Sequence, residues 1–444
     1  MQNKLSTVKK LKPLQLAAVI FLTVSGGPYG LEPLLVYAKD SALLLLIVSP
    51  LLWDLPTIFV VLELNSMMPV TGGYYQWVKR ALGLRWAFYE GWWTWLYTFV
   101  DLAIYPVLFV EYAVFFFPEI EAYKVPVCLA IVWLSAGLNI LGIVPVGRTA
   151  VFLGAAVFTP FIILFISILY KYSGHIPAPH IGFDVSGSSN IGLALYTVMW
   201  NFIGWDNTTT YAGEVEKPVR SYLISVGTAF ASIFVIYFMA VYMAQIVGPN
   251  VDQLNEEGFP LLGSIVGGNW LGALLAAGGM ASALGLYSAV LLSVSRIPQV
   301  MADDKFLPAK LNSKHIKFDT PYVSILSCSV VVSCLVVWTF EDLLIIDVTL
   351  YGAALFLEFI ALIALRIKAP DEKRPFKIPL NIFGLCLLTL LPLAIYLFAL
   401  AAAFNDSGGT MMPLLFALAT LLSAEVIWQV FRLQKRNGRA GNSL

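Results

Sequence analysis

Carboxylic acids sit inside stretches of this chain that are otherwise apolar: Glu32, Asp54, Glu63, Glu90, Asp101, Asp206, Glu358 and Glu425. No Lys or Arg falls in the middle of those stretches to neutralise them. A charged side chain in a hydrocarbon setting costs at least ~2.5–3.5 kcal/mol, so each embedded acid implies a partner or a task. Two tasks fit, binding a cation or carrying a proton. Burial favours a carboxyl's neutral form and an approaching ammonium favours its charged form, so one residue can trade a proton for an amine. Asp101 and Asp206 fall nearest the centres of their stretches. For Asp54, Glu63, Glu90 and Glu425 the plainer reading is a protonated acid hydrogen-bonded across helices.

Two clusters of helix-breaking or polar residues accompany the acids. Ser25-Gly26-Gly27-Pro28-Tyr29-Gly30 puts three glycines and a proline within six residues, directly before Glu32, and would interrupt a helical ladder. Asn201, Gly204, Trp205, Asp206 and Asn207 form the second cluster. Aromatics that can hold an ammonium by cation–π contact and hydroxyl bonds stand nearby: Tyr29, Tyr105 one turn past Asp101, Trp200, Trp205, Tyr287 and Tyr351. Each alone is more often packing. Their coincidence with the breaks makes them candidates.

Enzymatic chemistry has no such footing. His175, His180 and His315 lie in expected loops, and the chain has no H-E-x-x-H, G-x-S-x-G or P-loop pattern. The cysteines Cys128, Cys328, Cys334 and Cys386 lack metal-ligand spacing and read as buried free thiols. We expect no cofactor and no metal.

The elements that position these residues must be membrane helices. Hydrophobic residues make up 59% and charged residues 12% of the 444, against roughly 45–50% apolar and about 25% charged in soluble domains, so no water-soluble fold could hide the surface. Apolar runs long enough for spans of roughly 20 residues cover 14–38, 43–65, 87–117, 125–143, 149–170, 191–211, 223–247, 271–294, 323–340, 344–365, 383–404 and 412–431. The expected fold class is therefore an all-α membrane protein of about twelve transmembrane helices, one domain over 1–444. A polar start leading straight into the first run predicts a retained first helix and no signal peptide. Every Lys and Arg except Lys39, Lys124 and Lys171 falls at the termini or in the loops on their side, which predicts both termini in the cytoplasm. Zero net charge and no basic stripe exclude a nucleic-acid partner.

In lipid, irregular backbone survives only where it lines a cavity or is packed in protein. The clusters fall on the first and sixth spans, and broken helices in corresponding positions of two halves point to a transporter site at the bilayer midplane. That makes 14–170 and 191–367 candidate inverted repeats of five spans each, with two further helices at 383–431. Close helix packing is the alternative use of the glycines.

The chain also resembles the amino acid–polyamine–organocation superfamily. The likeness rests on Pro69-Val70-Thr71-Gly72-Gly73-Tyr74-Tyr75, Ala212-Gly213-Glu214-Val215-Glu216-Lys217-Pro218, Ser295-Arg296 with Met301-Ala302-Asp303-Asp304, and Arg374-Pro375-Phe376-Lys377-Ile378-Pro379. Val24 to Glu32, Glu90-Gly91-Trp92 through Asp101 to Phe109, Trp205-Asp206, and Tyr351 with Glu358 are similar to the polyamine transporter and L-type amino acid permease branch. The resemblance implies a LeuT-type fold with helices one and six broken. It implies that Gly26, Gly27 and Tyr29 line the substrate site, with Asp101, Trp205, Asp206 and Tyr351 as amine contacts and Glu32 as a coupling acid. Two departures stand out: Pro28 lacks an amide that many members offer to a carboxylate, and Ala155, Ala156 and Val157 occupy the place of a membrane Lys found in proton-coupled amino acid members.

The expected function is uptake of a polyamine or cationic amino acid across the cell membrane, driven by the proton gradient, with sodium as the open alternative. The candidate site is Ser25, Gly26, Gly27, Tyr29, Gly30, Asp101, Tyr105, Trp200, Asn201, Trp205, Asp206, Tyr287 and Tyr351, with Glu32, Asp101 and Asp206 as proton carriers. A neutral amino acid permease or exchanger, and a non-transporting membrane scaffold, are the competing readings. Oligomeric state stays open.

Overall fold

The computed structural model describes residues 10–174, 176–182, 190–406 and 412–441. His175, Lys4 and Lys9 lie outside the described residues. Helices α1 (Pro13–Val24) and α2 (Glu32–Ala38) flank a non-helical stretch. A 3-10 turn at Lys39–Ser41 leads into α3 (Ala42–Ser49), which continues through one π-helical turn at Pro50–Asp54 into α4 (Leu55–Met67). The amphipathic α5 (Gly73–Leu82) precedes α6 (Leu84–Ala113), α7 (Lys124–Ile140) and α8 (Ile143–Lys171). After α9 (Ile191–Trp200) the chain runs irregularly to α10 (Pro218–Val247), the short α11 (Val251–Glu257) and α12 (Phe259–Gly267), and α13 (Asn269–Val294). The last helices are α14 (Ile297–Asp303), α15 (Tyr322–Leu335), α16 (Phe340–Lys368), α17 (Ile382–Asp406) and α18 (Met412–Gly441). Among the described residues extended pairing is limited to isolated bridges, Leu11 with Val215 and Thr71 with Tyr211.

Nine helical stretches among the described residues are long and apolar enough to cross a bilayer. The shorter apolar helices α1, α9 and α15 fall in the three sequence-predicted spans not among them. The outward faces carry Leu134, Phe152, Phe383 and Leu422, each more than two-thirds exposed. An exterior this apolar is compatible only with lipid, so this is a multi-pass membrane protein. The same surface corrects the expectation that all thiols are buried: Cys128 and Cys328 are, whereas Cys334 and Cys386 are exposed on the outer helices. Beside lipid, an apolar residue has no need of the interior.

The central helix is α6, packed against α5, α7, α13 and α16, while α1 lies against α8, α10 and α13. Along α6, Glu90, Thr94, Tyr97, Asp101 and Tyr105 recur at three- and four-residue steps and so share one face, and all are buried.

Two acids expected to lack a basic partner have one. Glu63 takes Arg366 Nε at 2.5 Å and Nη2 at 2.7 Å, with Arg374 Nε at 3.3 Å and the Ile378 amide at 2.8 Å. Glu425 pairs with Arg85 at 2.7 Å. Long guanidinium side chains reach inward from helix ends and loops, which linear position does not reveal. Because Glu63, Arg366 and Arg374 are all at least nine-tenths buried, Glu63→Gln strands two guanidinium groups. We expect it to destabilise the detergent-purified protein by about 3–5 kcal/mol in thermal unfolding; an unchanged transition would show that the cluster is solvated instead.

Candidate functional site

The first break is built by its glycines. Gly26, Gly27 and Gly30 have φ of 64°, 97° and 89°, where a side chain is strained. A Cβ on Gly27 would collide with Val157 Cγ1, and one on Gly30 would sit 2.8 Å from Trp200 Cζ3. The Gly26 amide donates to Phe21 O at 3.0 Å, the Gly27 amide to Ser25 Oγ at 3.0 Å, and the Gly30 amide to Glu32 Oε2 at 2.7 Å. Glu32 also accepts the Phe259 amide at 3.3 Å and the Tyr112 hydroxyl. It therefore ties the break to α6 and to the start of α12.

The second break begins where α9 ends. Asn201 Nδ2 donates to Gly30 O at 3.2 Å and Thr197 O at 2.8 Å, stitching one break to the other. The Tyr237 hydroxyl of α10 lies 2.6 Å from Ser25 Oγ and 3.0 Å from Asn201 O. Gly204, with φ of 98°, packs so closely that a Cβ would stand 3.2 Å from Thr23 O. Past the break the chain makes 3-10 turns at Asn207–Thr209 and Ala212–Glu214.

Between the breaks lies a cavity of about 10 Å³, lined among others by Thr23, Ser25, Asp101, Tyr105, Trp200, Asn201, Gly204, Asn207 and Leu286. That is room for about one water molecule, so any larger solute must part the walls. Asp101 is 4% exposed, and its Oδ1 accepts the Tyr105 hydroxyl at 2.6 Å and Trp200 Nε1 at 3.3 Å. The Tyr105 and Trp200 rings stand 6.3 Å apart, centre to centre. Both rings thus meet the carboxyl through their polar edges.

Asp206 is placed differently. It is absent from the cavity wall, and its Oδ1 accepts the Tyr351 hydroxyl at 2.8 Å. Its carboxyl adjoins that of Glu358 and faces Glu90. Asn207 joins the layers: it lines the cavity, and its Oδ1 accepts Tyr97 Oη at 3.1 Å and Tyr74 Oη at 3.4 Å. Among the described residues no Lys or Arg pairs with Asp101, Asp206, Glu90 or Glu358.

Of the expected residues, Ser25, Asp101, Tyr105, Trp200 and Asn201 meet at the cavity. Gly26, Gly27 and Gly30 shape the break behind it. Tyr29 packs edge-on against Tyr112 and Phe161 at 5.0 and 5.1 Å. Trp205 stands beside Asp54 and Phe230, and Tyr287 beside Cys328 and Ser329 of α15. Sequence reasoning passed over Asp347, Tyr97 and Tyr237, and it placed Asn207 in the second cluster without counting it among the site residues. Asp347 is completely buried beside Asp101 and Tyr105, and neither of its oxygens has a hydrogen-bond partner. Its position one turn before Tyr351 was the available signal.

Pockets of about 350 and 640 Å³ lie outside this centre. Gly30, Glu32, Glu111, Glu256, Glu257, Thr339 and Phe340 line the first, so it is strongly acidic. Phe340 meets Trp200 edge to face at 5.6 Å, so this aromatic pair joins the acidic pocket to the cavity wall. The larger pocket is lined by Arg148, Lys314, Lys317, Glu214, Asp303 and Asp319 among others.

Comparison with known proteins gives a consistent picture. The family described as amino acid permease matches residues 11–422. A probable polyamine transporter of Arabidopsis thaliana is 33% identical over 401 residues, covering 88% of this chain and 83% of that protein. A polyamine transporter of Oryza sativa is 31% identical, covering 87% and 72%. A serine/threonine exchanger of Bacillus subtilis is 23% identical, covering 93% and 95%.

Proposed function

This chain belongs to the amino acid permease family, and from that premise we propose that it takes up polyamines across the cell membrane by proton-coupled alternating access. The observation that carries the reading is Asp101, an acid without a basic partner that faces the cavity between Tyr105 and Trp200. An acid so buried is neutralised either by a proton or by a cationic guest, and exchanging the one for the other is a coupling mechanism. Asp206 and Glu32 are further carriers in this scheme, although Glu32 already holds two amides and a phenol.

The break itself favours an amine without a carboxylate. A zwitterionic amino acid needs free amides at the helix break; those of Gly26, Gly27 and Gly30 are engaged within the protein and Pro28 has none, which leaves the Tyr29 amide alone for a carboxylate. The similarity to polyamine transporters supports the same choice. The exchanger relative keeps an amino acid substrate as the second reading.

In architecture we read twelve spans, with α1 and α2 together as the first and α9 with the following turns as the sixth. The inverted repeats are 14–170 and 191–367, and both termini are cytoplasmic. The acidic pocket then faces outward, where it gathers cations, and Phe340 with Trp200 forms the outer gate.

The test is uptake of labelled spermidine by purified protein in liposomes. An imposed proton gradient should drive accumulation above equilibrium, and a protonophore should abolish it. Accumulation driven only by sodium would reassign the coupling ion. Transport of amino acids with no polyamine transport would favour the second reading, and no transport of either would favour a scaffold.

A further inference from the structure

The two buried acids of α6, Glu90 and Asp101, each have a counterpart on α16. Asp101 and Glu90 are 11 residues apart on α6, and Asp347 and Glu358 are 11 apart on α16, so at 1.5 Å per residue each pair spans about 16 Å along its helix. The helices pack together, with Asp347 beside Asp101 and Glu358 facing Glu90 and Asp206. The acids thus form two tiers.

Both tiers are unfinished as protein structure. Both oxygens of Asp347 and Oε2 of Glu90 are buried without a hydrogen-bond partner, Glu358 meets only the adjoining carboxyl of Asp206, and all three residues have zero exposure. Buried polar atoms are normally satisfied, so atoms left over in two places call for donors from outside the chain. The first tier also borders the cavity that Asp101 lines. Tyr97, Asn207 and Tyr351 occupy the space from one tier to the next: the tyrosine rings meet edge to face at 5.3 Å, and Tyr97 Oη reaches Asn207 Oδ1 at 3.1 Å. Aromatic faces and short polar groups suit a chain of methylenes interrupted by secondary ammonium groups.

We propose that the two tiers are the ends of one elongated site, which selects linear polyamines by the distance between their terminal ammonium groups. Asp101 with Asp347 holds one end, and Asp206 with Glu90 and Glu358 holds the other. A tetraamine reaches both tiers; a four-carbon diamine reaches one. This inference rests on the polyamine reading and narrows it to chain length.

The experiment is inhibition of labelled spermidine uptake in liposomes by α,ω-diamines of increasing length and by spermine. For the unaltered protein, affinity should rise with length and step upward once both tiers are reached. Glu358→Gln should lower the ratio of spermine to putrescine affinity by at least about 30-fold, the loss expected when one partner of a buried charge pair is removed. Asp347→Asn should weaken short and long amines alike. Affinity indifferent to length in the unaltered protein overturns the two-tier site while leaving polyamine transport standing, and this arm needs no variant to fold. An unchanged ratio in a monodisperse Glu358→Gln protein overturns it equally. Failure to carry any polyamine removes the underlying reading as well.

Discussion

Asp101→Asn should lower saturable polyamine uptake by roughly 30-fold to 4000-fold while the protein still inserts and purifies normally. The substitution keeps the side chain's size and one carbonyl oxygen, which can still accept the Tyr105 hydroxyl and Trp200 Nε1 that Asp101 Oδ1 now holds. What disappears is the charge. Removing one member of a buried ammonium–carboxylate pair costs about 2–5 kcal/mol, and 1.4 kcal/mol is a factor of ten, which gives the stated range. Transport should also lose its dependence on the proton gradient, because an amide cannot exchange a proton for an amine. Counterflow in liposomes separates the effects: a coupling defect spares exchange of internal for external amine, whereas a binding defect removes both. Wild-type uptake in a well-inserted Asp101→Asn protein would move the amine site elsewhere.

How far the residues alone reveal such a site depends on whether the signal is local. The first break was legible because clustered glycines and a proline act on their own backbone, and the second because polar residues and a glycine interrupt an apolar run; the structure shows α1 ending at Val24 and α9 at Trp200. The embedded acids were legible because their cost in an apolar run does not depend on the fold. Asp347 escaped because it lay close to the predicted start of its run at 344, whereas α16 begins at Phe340 and carries Asp347 two turns inward. Partnerships were not legible at all. Glu63 meets Arg366 across 303 positions, and Tyr237 bridges both breaks from α10. Nor could spacing show that Asp101 and Asp206 fall in different layers, since that follows from how α6 and α16 pack against the second break. Local chemistry identified the ingredients; tertiary packing decided which of them share a wall.

Gly26→Ala should abolish transport and lower stability, while Gly154→Ala should do neither. At Gly26 a Cβ would lie 2.5 Å from Leu286 Cδ1 and 2.7 Å from Ser282 Oγ, on a backbone with φ of 64°. Left-handed backbone costs a residue with a Cβ about 1–2 kcal/mol, and overpacking adds about 1–3 kcal/mol, for a total of about 2–5 kcal/mol. The clash also has a direction. Leu286 lines the cavity of about 10 Å³ beside Asp101, so the displaced leucyl group is pressed into the space that a solute must enlarge. Transport should therefore fall further than folding does, with uptake lost even below the melting transition. Gly154 sits within α8, where an added methyl group would meet no neighbouring heavy atom within 4 Å, and there alanine is the better helix former by about 0.8–1.0 kcal/mol. Thermal unfolding and liposome uptake measured on both variants decide the matter. Equal behaviour of the two would mean that Gly26 serves helix packing alone and that the first break has no part in forming the site.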